Sequence, residues 1–461
     1  MSYNVYVAKL KNVRPHTNAD RLQLGDCFGN TVCISKDYYE GMLGIYFPVD
    51  GQVSIEFGEI NNLFRKKDEN GKEVGGLIDA KKRNIKCIKL RGEKSDGLFL
   101  PLDCLKTFGD ISTLKEGDNV TIFNGHEIAC KYIPVSNTHN KNIVSNINKK
   151  KNKKNIFPLF KEHKDTEQLA YNLNAFNEGD FIEITLKMHG TSGRTGYLPC
   201  LKGYKKTWKD KIFRKEGKPI YEYDYVTGTR RVVLEDFSGG FYGNDEFRRR
   251  HSEVFKDKLH KGETVYYEIV GFTDSGAPIM PIADNKKLKD KVFIKQYGKE
   301  TVFSYGCSSN GKIGIGITER KVPKSEIYVY RMTMTNEDGD VVEYSPDFMR
   351  YRCAQMGVKT VPVLWQGIIP EIENDEALSE EYRLTPGDYI KSVAEQYYDG
   401  ADPIGKIHIR EGVVIRIVNK PSFTAFKHKN FNFKVLSNIA KLNVIDENKI
   451  ESMSDDLISE I

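Results

Sequence analysis

The sequence predicts an α+β protein: a small N-terminal β-barrel, then a larger domain of antiparallel sheets with flanking helices. Three observations carry that expectation. At 461 residues the chain exceeds what one hydrophobic core usually serves, so two or three domains are expected. Its first ~125 residues alternate short β-rich runs with turn residues, the rhythm of a small barrel. After a low-complexity stretch, strand-like runs punctuated by shorter helical pieces resume at residue 157 and continue to about residue 438.

The barrel rests on "YNVYVAKLKNV", "RLQLGDC", "NTVCISK", "LGIYFPV", "NIKCIKLRG", "DGLFLPL" and "DNVTIF", which place a first domain at residues 1–126. Residues 127–156 lose this pattern and include "NTHNKNIVSNINKKKNKKN", which is too poor in apolar residues to bury a core and is read as a basic Asn/Lys-rich linker. Its lysines either track a phosphate backbone or are simply solvated. Residues 157–440 form the second domain, in which "YKKTWKDKIFRKEGKPIYEYDY" (204–225) reads as a long charged, aromatic hairpin decorating a sheet. Residues 441–461 are an acidic tail whose last sixteen positions hold six acids against one lysine, at best a marginal helix.

Composition narrows the function classes. Hydrophobic residues at 39% and charged residues at 29% are ordinary for a globular chain, and no apolar run reaches the ~20 residues of a membrane helix. The opening "MSYNVYVAKLKNV" has no apolar signal region, so a cytoplasmic chain is expected, without excluding a nuclear or viral-host setting. Eight cysteines without a Cys-x-x-Cys pair argue for reduced thiols and against zinc. A net charge of +6 permits a polyanionic partner without requiring one.

The chemistry concentrates at "EITLKMHGTSGR" (183–194). If "FIEITLK" is a strand, Ile182, Ile184 and Leu186 face a core, while Glu183, Thr185 and Lys187 face the other way. Lys187 then emerges at a strand end, followed by Gly190 and Gly193, which allow close backbone approach, hydroxyls at Thr191 and Ser192, and the cation Arg194. Alone, Lys-x-x-Gly describes a surface turn as readily as a nucleophile.

Four later segments change that balance: "YYEIVG" (266–271), "IYVYRM" (327–332), "REGVVIR" (410–416) and "FKHKNFNFK" (426–434). With Lys187 they resemble the ordered motif series of covalent nucleotidyltransferases, most closely the ATP-dependent RNA ligases of the Deinococcus and Naegleria type. That type carries an OB-type domain ahead of its nucleotidyltransferase (ATP-grasp-like ligase) domain. In this sequence "VRPHTNADRLQL" (13–24) and "LRGEKSDGLFLPL" (90–102) resemble such OB-type domains, although Asn18, Ala19, Asp20 and Arg21 also suit a plain barrel turn.

The resemblance implies that Lys187 attacks the α-phosphate of ATP and forms lysyl-AMP, with Mg2+ or Mn2+ as cofactor. A free lysine, with pKa ~10.4, is almost wholly charged near neutrality, so nearby cations and a divalent metal are expected to free the amine. Lys427 and Lys429, on one strand face at ~6.8 Å spacing, suit this task and would clamp the α-phosphate. The resemblance implies Glu268 for the ribose hydroxyls and Glu411 for the metal, held through water because such an ion keeps much of its hydration shell. Adenine is implied to lie between an aromatic, Tyr330 or Tyr328, and Val414. Strict alternation puts both tyrosines on one face, so the sequence does not choose. Arg194 fits the arginine reaching the nucleotide phosphate or ribose, and Arg230 or Arg231 fits the RNA 5′-phosphate.

"FKEHKDTEQ" (160–168) resembles a segment near the nucleotide pocket, yet residues 155–185 contain no arginine, where relatives place a nucleotide-contacting one. The implied partners are RNA, as a nicked duplex or broken ends, with no membrane and a monomeric enzyme. A DNA ligase, a GTP-using capping enzyme and a non-catalytic OB-type RNA-binding protein are the alternatives; capping enzymes and most DNA ligases place the OB domain last.

Overall fold

The computed structural model describes residues 3–49, 51–132, 156–437 and 443–444, apart from 68, 70–72, 164–165, 209–211, 214–216, 231, 235–236, 238–245, 316–317 and 375–382. Most of the expected linker, nearly all of the acidic tail, and Arg231 lie outside the described residues. The chain divides into two compact units: Met1–Thr138 with Lys287–Asp290 and Lys434–Ile461, and His139–Lys286 with Lys291–Phe433. Antiparallel sheets dominate both and helices are few, a mixed α+β architecture. Among the described residues no helix is long and apolar enough to cross a membrane, and all eight cysteines are free thiols.

In the first unit Leu43–Phe47 lies between Tyr6–Lys9 and Leu98–Pro101, antiparallel to both. Lys11–Pro15, Leu22–Cys27 and Asn30–Ser35 form a second antiparallel sheet. Alternating apolar positions, among them Val7, Ile45, Phe47 and Leu100, fill one core with Phe57 and Phe108. The two segments that prompted the barrel resemblance meet here: Asn18 Nδ2 donates to Arg91 O at 3.0 Å, and Ala19 is buried beneath the turn. Asp20 and Arg21 are exposed.

The second unit has two main sheets, whose strands are labelled here in chain order. The first sheet contains β1 (Glu167–Gln168), β2 (Phe181–Leu186), β9 (Val363–Ile368), β10 (Gly412–Ile417) and β11 (Thr424–Lys429), in the order β1-β11-β10-β2-β9. The second contains β3 (Thr191–Lys205), β4 (Lys218–Gly228), β5 (Glu263–Gly271), β6 (Ser325–Thr335) and β7 (Val341–Glu343), in the order β4-β3-β5-β6-β7, with β8 (Lys359–Thr360) also paired to β6.

Each sheet hides one apolar face under helices. Ile182, Ile184, Val413, Ile415 and Ile417 pack with Ile390, Val393 and Ala394 of the helix Pro386–Glu395. That helix starts with a capping box, Thr385 and Asp388 each satisfying the other's backbone N–H, and with Pro386 at its first turn. On the second sheet Val265, Tyr267, Ile269, Ile327 and Val329 pack with Phe247 of the helix Glu246–Glu253, and with Met349, Cys353 and Met356 of the helix Pro346–Met356. This last helix is capped by the Ser345 hydroxyl and ends at Gly357, whose φ of 71° suits a left-handed terminus. The remaining faces supply Glu183, Thr185, Val414, Glu268 and Tyr330 to one cavity.

Candidate active site

Strand register assembles the first half of the site. Leu186 pairs with Val413 on β10, and Gly412 pairs with Lys429 on β11, so the ends of three neighbouring strands coincide. The backbone N–H of Lys187 donates to Gly412 O at 3.0 Å, fixing the residue just past the end of β2. Gly412 is obligatory: its φ is +144°, and a Cβ there would stand 2.1 Å from His428 O. Lys187 Nζ then lies 2.8 Å from Glu411 Oε1, Lys429 Nζ 3.0 Å from the same oxygen, and His189 Nδ1 3.4 Å from Oε2. Burial alone would raise the Glu411 pKa, but Lys187, Lys429 and His189 outweigh it and hold the carboxyl well below its ordinary range.

Lys427 leaves the same face of β11 as Lys429, two residues apart, opposite Val414. Its Nζ donates to Thr166 O at 2.8 Å, so in this state it ties β11 to the segment "FKEHKDTEQ". From that segment His163 and Thr166 line the cavity.

The second half comes from β3, β5 and β6. Gly190 lies against β5 so closely that a Cβ would meet Ile269 O at 2.3 Å and Glu268 Cγ at 3.0 Å. The glycine therefore lets the turn after Lys187 approach Glu268. Desolvation pushes the Glu268 carboxyl up to about 7, against the pull of Lys187, Arg230 and Arg248, with Glu411 adding to the rise. Arg230 also lines the cavity. Arg194 stands opposite Tyr266, almost fully buried, its guanidinium 4.1 Å from the centre of the Phe160 ring. Its Nε donates to Thr229 O at 2.9 Å, while Nη1 has no hydrogen-bond partner.

The cavity lining separates the two tyrosines, and a register shift falls at the second of them. Tyr266 pairs with Arg331 but Tyr267 with Val329, leaving Tyr330 as an extra residue in β6. Val329 and Met332, three apart, consequently share one core, and strict alternation fails at this point. Tyr330 lines the cavity with Val414. Tyr328 is buried outside its lining, with the Lys359 ammonium 5.8 Å from its ring centre.

The cavity is open on one side, and the space between its walls, open solvent included, is about 840 Å³. Several contributors carried little signal in the sequence. Arg248, in an Arg-Arg-Arg run, donates to Thr191 Oγ1 at 2.5 Å and Ser192 O at 3.1 Å. Arg350 pairs with cavity-lining Glu183 at 2.6 Å, and Gln366 donates to the same carboxylate. The His189 ring is held edge-on between Phe303 and Phe433, and its backbone N–H donates to the Tyr305 hydroxyl at 2.8 Å. Its position two residues beyond Lys187 was the available clue.

No family model matches the chain, and no curated protein matches it. Among solved structures, Naegleria gruberi RNA ligase resembles it in three states. A lysine-to-alanine mutant with ATP and Mn has TM-score 0.52 and 17% identity, covering 95% of this chain and 99% of that one. A lysine-to-methionine mutant with AMP and Mn has TM-score 0.51 and 17% identity, covering 98% and 99%. The form with PPi has TM-score 0.50 and 15% identity, covering 98% of each chain. At these identities the likeness is one of fold, and the chain is similar in fold to this RNA ligase over nearly its whole length.

Proposed function

We propose that the chain is an ATP-dependent RNA ligase, joining a 3′-hydroxyl to a 5′-phosphate through lysyl-AMP and RNA-adenylate. The observation that carries this reading is the position of the Lys187 amine: it borders one cavity with Glu268, Tyr330 and Val414, beside Glu411 and Lys429. The structures it resembles in fold are those of an RNA ligase with ATP, AMP or PPi.

In the first transfer Lys187 Nζ attacks the α-phosphorus of ATP. A P–N bond forms, the bond to the bridging oxygen breaks, pyrophosphate leaves with the electron pair, and the amine proton passes to solvent. In the second, a 5′-phosphate oxygen of RNA attacks the same phosphorus and Lys187 departs as the amine. In the third, the RNA 3′-hydroxyl attacks the 5′-phosphorus and AMP leaves. Lys429 and Lys427 oppose the charge that builds on the phosphate. Tyr330 and Val414 hold adenine, Glu268 meets the ribose hydroxyls, and Arg194 and Arg230 face nucleotide and RNA phosphates respectively.

Mg2+ or Mn2+ fits this donor set in one way. Among the described residues no group of three or more His, Cys, Asp or Glu could hold an ion. Glu411 with phosphates and water instead suits an ion that keeps much of its hydration shell. Glu411 would hold such an ion, which would supply positive charge at the phosphates beside the Lys187 and Lys429 amines. We assign residues 1–126 as an OB-type nucleic-acid-binding domain and 157–440 as the nucleotidyltransferase domain of a monomeric, cytoplasmic enzyme acting on nicked or broken RNA.

Incubation with α-labelled ATP and metal is expected to label the wild-type chain and leave Lys187→Ala unlabelled; a labelled alanine variant refutes the assignment. Labelling by GTP or NAD in place of ATP would favour a capping or NAD-type enzyme. Nicks ending in ribose against deoxyribose separate RNA from DNA sealing, because the 2′-hydroxyl is the distinguishing group.

A further inference from the structure

The hairpin of β3 and β4 outruns the sheet that carries it. β3 pairs with β5 only from Thr191 to Gly196, whereas its pairing with β4 continues to Lys205 opposite Lys218. The ribbon therefore extends nine residues beyond Gly196, about 30 Å at ~3.3 Å per residue, with no third strand among the described residues, although Leu201 N–H donates to Ile156 O at 2.8 Å and Phe157 and Phe160 pack on Leu198 and Cys200. A two-stranded ribbon is marginally stable in water by itself. This one is braced at its base, where Tyr197 and Tyr225 stack with ring centres 4.6 Å apart and Lys202 pairs with Asp224 at 2.6 Å.

Its outer end has the composition of a nucleic-acid surface. Between residues 202 and 218 the sequence carries eight Lys or Arg against two acids, and its described positions hold Lys202, Lys205, Lys206 and Lys218 and no acid. Lys205, Lys206 and Lys218 are exposed at the mouth of the ribbon and form no ion pair with a described residue. Trp208 is 68% exposed, Phe213 69% and Tyr221 47%. Large aromatics presented to water among lysines lose their hydration cost by stacking on bases or riboses, while the lysines neutralise phosphates.

We propose that this arm is an RNA-binding site, separate from the catalytic cavity, that grips the strand flanking the reactive end. The proposal rests on the RNA-ligase reading for its substrate. The outer end of β3 lies about 30 Å of strand beyond the last β5 pairing at Gly196, farther than a flank of six base pairs spans. RNA long enough to reach the arm gains the extra contacts, and short RNA does not.

The test compares the full-length protein with K205A/K206A/K218A and with W208A/F213A. Fluorescence anisotropy measures binding to nicked duplex RNA with flanks of six or of twenty base pairs. Both variants are expected to bind the long substrate about tenfold more weakly or worse, and the short substrate within twofold of wild type. Three phosphate contacts removed should also flatten the slope of log affinity against log salt by about 2 to 3. Lysyl-AMP formation from ATP should be unchanged, since neither set touches the cavity.

Unchanged long-RNA affinity and slope in both variants overturn the proposal, as does equal weakening on both flank lengths. So does arm-dependent binding to anionic phospholipid vesicles with RNA affinity unaltered, which would make the arm a membrane contact. If the wild type forms no lysyl-AMP, the ligase reading fails, and flank-dependent RNA binding still decides the arm on its own.

Discussion

Glu411 and Glu268 stand on different sheets of one unit, both close enough to Lys187 for its charge to lower their pKa values, yet they titrate in opposite directions. Glu411 is surrounded by the amines of Lys187 and Lys429 and by His189, and stays ionised far into acid. Glu268 receives weaker help from more distant cations, and desolvation wins, carrying it to about 7. The difference teaches a division of labour. A carboxylate that remains charged is suited to holding cations, whereas a carboxyl poised near neutrality is suited to hydrogen bonding with sugar hydroxyls, as acceptor or donor.

The contrast breaks most severely at Glu411. Glu411→Ala strands two ammoniums beside one another and is expected to abolish lysyl-AMP formation, by at least a hundredfold, and to lower unfolding stability by about 3 kcal/mol. Labelling with α-labelled ATP and urea unfolding measure the two losses. Retained stability with retained labelling would show that the cations do not depend on this carboxylate.

Glu268→Gln is expected to weaken nucleotide use by about tenfold while changing stability in the opposite sense. The folded pKa of about 7 lies above the ordinary 4.5 of the unfolded chain, so the unfolded state releases its proton first as pH rises. Stability associated with the protonated group is complete below about 4.5 and lost as pH climbs through 7. Gln carries no such loss, so the variant should gain on the order of 2 kcal/mol over wild type at pH 8 and little at pH 4. Urea titrations at both pH values check the sign; a gain at pH 4 alone would reverse the assigned shift.

The two sheets also differ in how legible they were. On the first, alternation in "FIEITLK" and in "KHK" was enough to put Lys187, Lys427 and Lys429 on the polar face, because β2 and β11 each pair with β10 without a register shift, the irregularity at Leu364 lying on the β9 side. The Lys427 contact to Thr166 O could not be read, since it joins positions 261 apart in the chain. On the second sheet, the extra residue at Tyr330 broke the period-two rule, and no local feature of "IYVYRM" marks a bulge. Arg248 was likewise hidden: three consecutive arginines look alike in sequence, and only tertiary packing turns one toward Thr191 and Ser192.

The bulge supplies the smallest effects and the finest test of the comparison. Tyr330→Leu removes a ring from the cavity wall and should raise the KM for ATP about tenfold, with little change in stability. Tyr328→Leu alters a side chain only 5% exposed and outside the cavity lining, so it should lower the melting temperature while leaving KM within twofold. Its hydroxyl is pushed well above the usual tyrosine range by burial, remains protonated at any working pH, and offers the nucleotide no charge. The two substitutions thus separate binding from packing. If Tyr328→Leu raised KM and Tyr330→Leu did not, the aromatic wall would belong to Tyr328 and the cavity lining would have been assigned to the wrong ring.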